Sequence, residues 1–587
     1  MIKELSEFGK PICERKYGEW NHVALKEEFI SIDIVIDSAG NFQKFELFEK
    51  KSTIAEALTS KKGSARLLLD KAEEVLCCGG EKSKSKHTLF LSKLKLFQDV
   101  ASLAPVIAFY GNNKSTGFEK ALSDFENAIP EKNRNGNIGF RLQLEGIRIH
   151  EKAEVRREII AVYESNKKNA SRRKCSVCEQ TEYPVEDEPH GMIKNVPDGK
   201  SSGCALVSYN ASAFESYELK GNDNSTICAN CARTYVEGLS ALFSEGVKFK
   251  NKKNKDDILY SYRWPRRRSA NYGLDTAILF WTRNNKPLPE IDQLEAPNAD
   301  EVARMIESVT SGNVNDTHYI ELEQLYSCSL SGAAARIAVR DWIETSLGHF
   351  RKSIAHWFKD IAIEKYDGDL KKIVIHYAPL YDLAKSCQRK NSDGGYDKDD
   401  TSTARVASSL WKAALQNIPI PLWILTKVLQ RARLDKYGVT AERAALIKLI
   451  LNRNKNGGDF MMTENSVQEE RPVAYVCGQI FAKLENMQYY AAAGERNAGI
   501  RERYFTYTMT SPAAAFGRLF DLNYKHYKKI KNEKPGLAVT LDKELQELVK
   551  DVDINKMPAT FSLEQKGQFA IGYYHQKQAQ FANIKPK

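Results

Sequence analysis

Nowhere in the 587 residues do about 18 apolar side chains run together, the length a helix needs to cross a bilayer. The opening MIKELSEFGKPICERKYGEW also lacks the apolar core of a secretory signal. A secreted or membrane-spanning chain is not expected, and a cytoplasmic one is. The eleven cysteines do not form the even framework of a small disulfide-rich domain, since Cys77 and Cys78 are adjacent. Catalytic signatures are scarce. Ahead of Gly199-Lys200-Ser201, Lys194 stands where a phosphate-binding loop needs its first glycine, and no His-Glu-x-x-His occurs. The glycine- and aspartate-rich run Lys385–Ala404 has no glutamate at the twelfth place of a calcium loop and reads as a linker.

What is present is length and positive charge. The chain is too long for one core and should hold two to four domains. A net charge of +11 suits an acidic polymer as partner, although the same excess also aids solubility.

The most specific chemistry is a doubled thiol spacing. Cys175 and Cys178 are matched by Cys228 and Cys231, so four soft ligands can converge on one ion, with zinc the expected metal. Two thiol pairs without metal are the plainer alternative. Four ligands leave no open position, so such a site is structural rather than catalytic.

Taken in order, residues 28–50 alternate apolar and polar side chains about a pause at Ser38-Ala39-Gly40-Asn41, which predicts a β-hairpin. Lys61, Lys62, Ser64 and Arg66 follow, then a helix over LLLDKAEEVLCC and a second basic cluster, Lys82, Lys84 and Lys86. Cations on loops suit phosphate contact, and a solvated charge run is the competing account. EVRREIIAVYESNKK predicts a helix, as does Ile227–Phe243, which starts inside the second cysteine loop. NKKNKDD marks a surface connection. Beyond it, Arg263, Arg266, Arg267 and Arg268, interleaved with Trp264 and Tyr272, can grip a phosphate backbone while the rings stack on bases. LDTAILFWTRN reads as a strand. In Leu325–Ile363, Arg336 and Arg340 are placed four apart on a helical face, and His349 and His356 are read as packing residues. Over 401–587 helices dominate, with Thr440 and Ser511 as N-caps, Pro512 in a first turn, and Ser562 with Gln565 as a capping box.

Several stretches carry a family resemblance. HGMIKNVPDGKSSGCALVSYNASAFESY (190–217) resembles HPKIKGV...QSSGASLVSFNADAFESYG of the type I-C CRISPR surveillance (Cascade) complex large subunit. LDTAILFWTRN is similar to that family's GDTTVVFWAE, SLSGAAARIAVRDW to LGLSPNAARISVRFW, and VTAERAALIKLILNRN to VTYARAALIKACLNRN. IRERYF and QFAIGYYHQKQAQF resemble IRDRYF and RFALGYYHQRQALF. The resemblance implies a subunit that reads a protospacer-adjacent motif in duplex DNA through its N-terminal region, with Ser64 and Arg66 as reading residues. It further implies R-loop formation, a held displaced strand and recruitment of a separate helicase–nuclease. Its partners would be crRNA, target double-stranded DNA, the backbone and crRNA-processing subunits and a small subunit. Family members often carry an asparagine in the reading loop where Arg66 stands. Residues 461–587 resemble the small subunit, and Gly457-Gly458-Asp459-Phe460-Met461 admits a ribosome-binding site before an internal start at Met461 or Met462.

The expected architecture is α+β: an N-terminal domain (1–165) with basic loops, a zinc-knuckle region (166–245), the remainder of the α+β body (246–400), and a helical bundle (401–587). The expected role is a DNA-binding scaffold that is not itself an enzyme. A zinc-containing nucleic-acid-processing enzyme with His190 activating water, and a zinc-stabilised interaction protein, are the alternatives.

Overall fold

The computed structural model describes residues 1–57, 65–168, 170–186, 189–243, 262–264, 276–284, 288, 291, 293–294, 296–311, 323–390, 402–454, 461–465, 471–492, 499–553 and 557–582. The linker segment 391–401, the connection NKKNKDD and residues 455–460 ahead of Met461 lie outside them. The chain divides into two compact units, one of Met1–Gly246 with Ala333–Ala338, the other of Val247–Gly332 with Val339–Lys587.

In the first unit, β1 (Leu25–Ile36) and β2 (Phe42–Glu56) pair antiparallel, and β3 (Ile138–Leu142) joins β1 in parallel, giving the order β2-β1-β3. Ile32, Ile34 and Ile36 are buried in one core-facing row, as a strand period of two requires, while a register shift between Ile30 and Ile32 sets buried Ile30 in a separate cluster with Ala55 and Leu69. The hairpin turns because the Asp37 carboxylate accepts from the backbone N–H groups of Ala39 and Asn41, both at 2.9 Å, while Gly40 adopts φ +87°. Around the sheet pack α1 (Ile2–Tyr17), α2 (Ala72–Val75), α3 (Lys82–Lys95), α4 (Ala104–Tyr110), α5 (Phe118–Ala128), α6 (Ala153–Asn166) and α7 (Ala229–Phe243).

The helix expected over LLLDKAEEVLCC shrinks to the four residues of α2. Leu67, Leu68 and Leu69 are buried, with Leu68 at φ +62°, and Asp70 pairs with β3 through Ile138. The Asp70 carboxylate accepts from the N–H groups of Arg66 (3.0 Å) and Lys71 (3.1 Å), a local bonding pattern that competes with helix formation. The second basic cluster, expected on a loop, instead opens helix α3.

A four-stranded sheet runs β6 (Tyr262–Trp264), β7 (Thr276–Thr282), β8 (Gln324–Ala333), β9 (Arg336–Ser346), with Ala333–Ala338 counted in the first unit and its other residues in the second. The helical placement of Arg336 and Arg340 is therefore corrected: both lie on β9. A spacing of four puts two residues on one face of a strand as well as of a helix. Tyr326, Ile337, Val339, Trp342 and Ile343 favour the pleated surface.

One hydrophobic core runs from Ile278 of β7 to Tyr574. It unites α8 (Ala299–Ser311), α9 (Leu347–Ile361), α10 (Leu380–Lys385), α11 (Ser402–Gln416), α12 (Leu422–Leu434), α13 (Ala441–Arg453), α14 (Val473–Ala491), α15 (Ile500–Thr510), α16 (Pro512–Glu533), α17 (Pro535–Val549) and α18 (Leu563–Ala582). The hairpin of β10 (Ile363–Asp367) and β11 (Lys372–His376) stands beside α18. The expected caps form at Thr440, which accepts from Arg443 N–H, and at the Ser562–Gln565 box. Ser511 precedes Pro512 but makes no side-chain cap bond.

Candidate metal centre and nucleic-acid surfaces

The first cysteine pair sits in the loop between the short strands β4 (Arg172–Arg173) and β5 (Tyr183–Pro184). There Cys175 N–H donates to Gln180 O at 2.8 Å, and Glu179 N–H returns to Cys175 O. The second pair starts α7: Cys228 stands just before it and Cys231 lies in its first turn. Ser176 joins the two knuckles through its N–H and its hydroxyl, both donated to Thr226 O at 2.8 and 3.1 Å.

All four Sγ atoms lie within 4.8 Å of one another, with Cys178 to Cys228 at 3.8 Å. A tetrahedral zinc–thiolate site with bonds of about 2.3 Å has edges of about 3.8 Å, whereas a disulfide needs about 2.05 Å. The N–H groups of Val177 and Cys228 point at Cys175 Sγ and that of Cys231 at Cys228 Sγ, each at 3.4 Å, which favours thiolates. The Cys231 thiol, donating to Cys228, holds Cys228 down to about 5, and Cys231 is pushed up in turn. The donor set fits a closed four-thiolate metal site.

The knuckle is anchored from behind. Gly9 of α1 and Gly238 of α7 meet so closely that a Cβ on Gly9 would stand 1.8 Å from Thr234 O. Across that crossing Ser6 and Thr234 share a hydroxyl hydrogen bond of 2.6 Å, and Lys16 and Tyr17 hold Glu237 at 2.9 Å. His190 is committed to the same scaffold: Nδ1 meets Tyr235 Oη at 2.9 Å and Nε2 meets Ser225 Oγ at 3.2 Å. Burial pushes it down to about 4.

The 190–217 segment, which carried the resemblance, forms a cradle. Its Gly199 and Ala205 bridge to Ala334 and Arg336, and Arg336 donates to Asn210 Oδ1 at 2.8 Å and lies over the Phe214 ring at 4.3 Å. Gly199-Lys200-Ser201-Ser202-Gly203 spells Gly-x-Ser-x-Gly. It is a turn closed by Gly203 N–H on Lys200 O, with no strand before and no helix after, so Ser201 sits on no nucleophile elbow.

The basic candidates divide into paired and unpaired. Arg66 is mostly buried and ion-paired with Glu28 at 3.3 Å. Lys86 is paired with Glu73 and Glu74. Lys82 and Lys84 are exposed on the first turn of α3. Arg263 lies in β6, its backbone opposite Leu279. Lys61, Lys62, Ser64, Arg266, Arg267, Arg268 and Tyr272 lie outside the described residues.

A further surface escaped the sequence analysis. On α16, Lys525, Lys528, Lys529 and Lys531 are exposed, and Lys534 follows. Among the described residues no carboxylate within ion-pair distance holds any of the five. Lys528 Nζ lies 4.5 Å from the Tyr524 ring centre and Lys531 Nζ 5.8 Å from that of Tyr527. The interleaving of lysine and tyrosine in YKHYKKIK is the sequence signal for this surface.

Among the described residues no helix is long and apolar enough to cross a membrane. A family model for CRISPR-associated protein (Cas_Csd1) matches residues 12–581. No curated protein matches the chain.

Proposed function

The chain belongs to the Cas_Csd1 family of CRISPR-associated proteins, the type I-C Cascade large subunits, and from that premise we propose that it reads a protospacer-adjacent motif in duplex DNA for an RNA-guided complex. It then promotes R-loop formation, steadies the displaced strand and recruits a helicase–nuclease. Base pairing with crRNA supplies the long sequence readout, and this subunit supplies the short one. The observation that carries the reading is the family match, which runs through both units without a break.

The four thiols would hold a structural Zn2+, whose role is to fasten two loops to α7. With its coordination closed by sulfur, the metal has no place for a reacting water. The ring nitrogens of His190 are both taken by hydroxyls, which favours a scaffold over a nuclease. Strand cleavage therefore belongs to the recruited helicase–nuclease. The other partners are the backbone and crRNA-processing subunits and the small subunit.

The test is equilibrium binding of the assembled complex to duplexes that differ only in the flanking motif, across a salt series. Phosphate contacts predict a steep fall of affinity with salt. Arg66→Ala should erase the motif preference while nearly keeping the salt slope. Because Glu28 holds Arg66, Glu28→Gln should strengthen binding by releasing the guanidinium. A wild-type complex with no motif preference would overturn the reading.

A further inference from the structure

Residues 210–218, Asn-Ala-Ser-Ala-Phe-Glu-Ser-Tyr-Glu, are nine consecutive exposed positions of the first unit. Near their end Tyr217 is 94 % exposed, so almost the whole ring faces water. One open ring is ordinary on a protein surface. The setting of this one is not.

The ring stands on a strained turn. Ser216 and Leu219 pair across two residues, closed by Leu219 N–H on Ser216 O at 3.0 Å, and both central residues have positive φ, Tyr217 at +52° and Glu218 at +63°. Asn-Gly is the usual occupant of such a turn, and side chains as large as Tyr and Glu adopt it against their backbone preference. The surroundings hold it in place. Asn224 accepts from Ser216 N–H at 3.4 Å and donates to Leu219 O at 2.8 Å and to Gly221 O at 3.1 Å. At the other end of the segment, Arg336 donates to Asn210 Oδ1 at 2.8 Å and covers the Phe214 ring at 4.3 Å. A ring braced in this way has little freedom left to lose when a partner buries it, which favours binding.

Charge selects the kind of partner. In a chain of net charge +11, residues 210–218 carry two carboxylates, Glu215 and Glu218, and no lysine or arginine. Among the described residues neither carboxylate has a cation within ion-pair distance. Nucleic-acid phosphates would be repelled by this pair, which sets the turn apart from the basic stretches of the chain. A protein surface with lysine or arginine around an apolar pocket complements both the ring and the acids.

We propose that Tyr217, flanked by Glu215 and Glu218, is the anchor by which this chain docks onto a neighbouring protein subunit, the ring entering an apolar pocket rimmed by cations. The proposal rests on the reading of the chain as a subunit of an RNA-guided complex and names the surface through which it joins. Proteins that hold RNA carry cationic surface, so the backbone and crRNA-processing subunits have the charge that this turn requires. Tyrosine suits the role because its ring supplies apolar area with few rotatable bonds, and such residues dominate the energy of many interfaces.

The experiment measures association of the full chain, across a salt series, with the backbone and crRNA-processing subunits preassembled on crRNA. Tyr217→Ser should raise Kd by about tenfold or more, and Tyr217→Phe should keep it within about threefold, since the ring carries the contact. Glu215→Gln with Glu218→Asn should slow association and flatten its salt dependence, and asparagine tolerates the left-handed backbone, so the turn is kept. Thermal unfolding should be unchanged in all of these variants, because the altered side chains are exposed. In a second measurement p-benzoylphenylalanine replaces Tyr217, and irradiation of the assembled complex should link it to one of those protein subunits.

An unchanged Kd for Tyr217→Ser overturns the proposal, as does irradiation that yields no protein adduct or an adduct with crRNA, target DNA or a second copy of the chain. In either case, a wild-type chain that still joins the subunits leaves the broader reading standing. If the wild-type chain does not join them at all, the broader reading falls and the proposal falls with it.

Discussion

The same change, glycine to alanine, should have opposite signs at two positions of the helical unit. Gly478 of α14 faces α18, where an added Cβ would stand 2.1 Å from Phe569 O and 2.7 Å from Tyr573 N. Gly572 of α18 is as tightly placed, at 2.0 Å from Tyr475 O. Carbon atoms do not approach oxygen this closely, so in Gly478→Ala the helices must separate by about 1 Å, and at that gap a contact forfeits a quarter to a half of its dispersion energy. The crossing also aligns Tyr475 Oη with buried His575 Nδ1 at 2.9 Å, and His575 Nε2 already has no partner. Overpacking of this kind costs about 1–3 kcal/mol, and losing the hydrogen bond costs about 1 kcal/mol more. Alanine's better helix propensity returns only about 1 kcal/mol. The net expectation is a loss of about 1–3 kcal/mol. Gly517 of α16 has nothing within 4 Å of its ideal Cβ, so Gly517→Ala meets no clash and should gain about 0.5–1 kcal/mol. Urea unfolding followed by tryptophan fluorescence reads both shifts, with α14–α18 packing reported by amide exchange in Val473–Ala491. If Gly478→Ala proved as stable as the parent, or moved with Gly517→Ala, the close crossing would be refuted.

Three further outcomes follow from the structure. Stripping metal with a strong chelator, or Cys228→Ser, should cost amide-exchange protection in Ala229–Phe243 while leaving Val473–Ala491 protected; protection unchanged in both would remove the metal from the fold. His150 and His575, pushed down to about 4 and about 3 by burial, are neutral when folded and take protons when unfolded at pH 6.5 and below. Stability should therefore fall as pH drops from about 6.5 toward 4, by up to about 1.4 kcal/mol per pH unit for each, and equal urea midpoints at pH 7 and 5 would contradict this. A separate product beginning at Met461 should self-associate in sedimentation. Met462 is clamped by the Asn452 side chain at both its N–H and its carbonyl, each at 2.9 Å, and Gly567 of α18 faces Ile447 and Leu451 of α13, so the cut exposes apolar surface; a well-folded monomer would count against it.

The sequence was most informative where one local rule acted alone. The isoleucine alternation of β1 declared its own hairpin, and the doubled Cys-x-x-Cys spacing located four sulfurs that the fold brings within 4.8 Å. The long helices of the second unit carried their caps and period openly. Failures came where two rules competed. Leu67–Leu69 have helical composition, but pairing of Asp70 with β3 and bonds from Arg66 and Lys71 to its carboxylate hold the chain in a bend, with Leu68 at φ +62°. Arg336 and Arg340 fit either period, and only the hydrogen-bonded neighbour β8 decides for a strand. The glycine crossings at Gly9–Gly238 and Gly478–Gly572 were illegible because each joins residues far apart in sequence.

For the proposed nucleic-acid surface, the missing information is which cations are already spent. By composition Arg66 and Lys528 look alike, each in a basic stretch. The fold gives Arg66 a carboxylate at 3.3 Å and gives Lys528 a tyrosine ring at 4.5 Å. An arginine paired with Glu28 must exchange one anion for another on meeting DNA, so its net contribution to affinity is small and its contribution to discrimination depends on which base edge repays the exchange. A lysine without a carboxylate partner gains a phosphate at no such loss, and does so at any sequence. Selectivity is thus expected from the guarded arginine and affinity from the open lysines. Glu28→Gln provides the decisive case, because it should raise affinity while lowering the ratio between correct and incorrect motifs. A variant that raised affinity and left the ratio unchanged would show that Glu28 merely repels DNA and that Arg66 reads nothing.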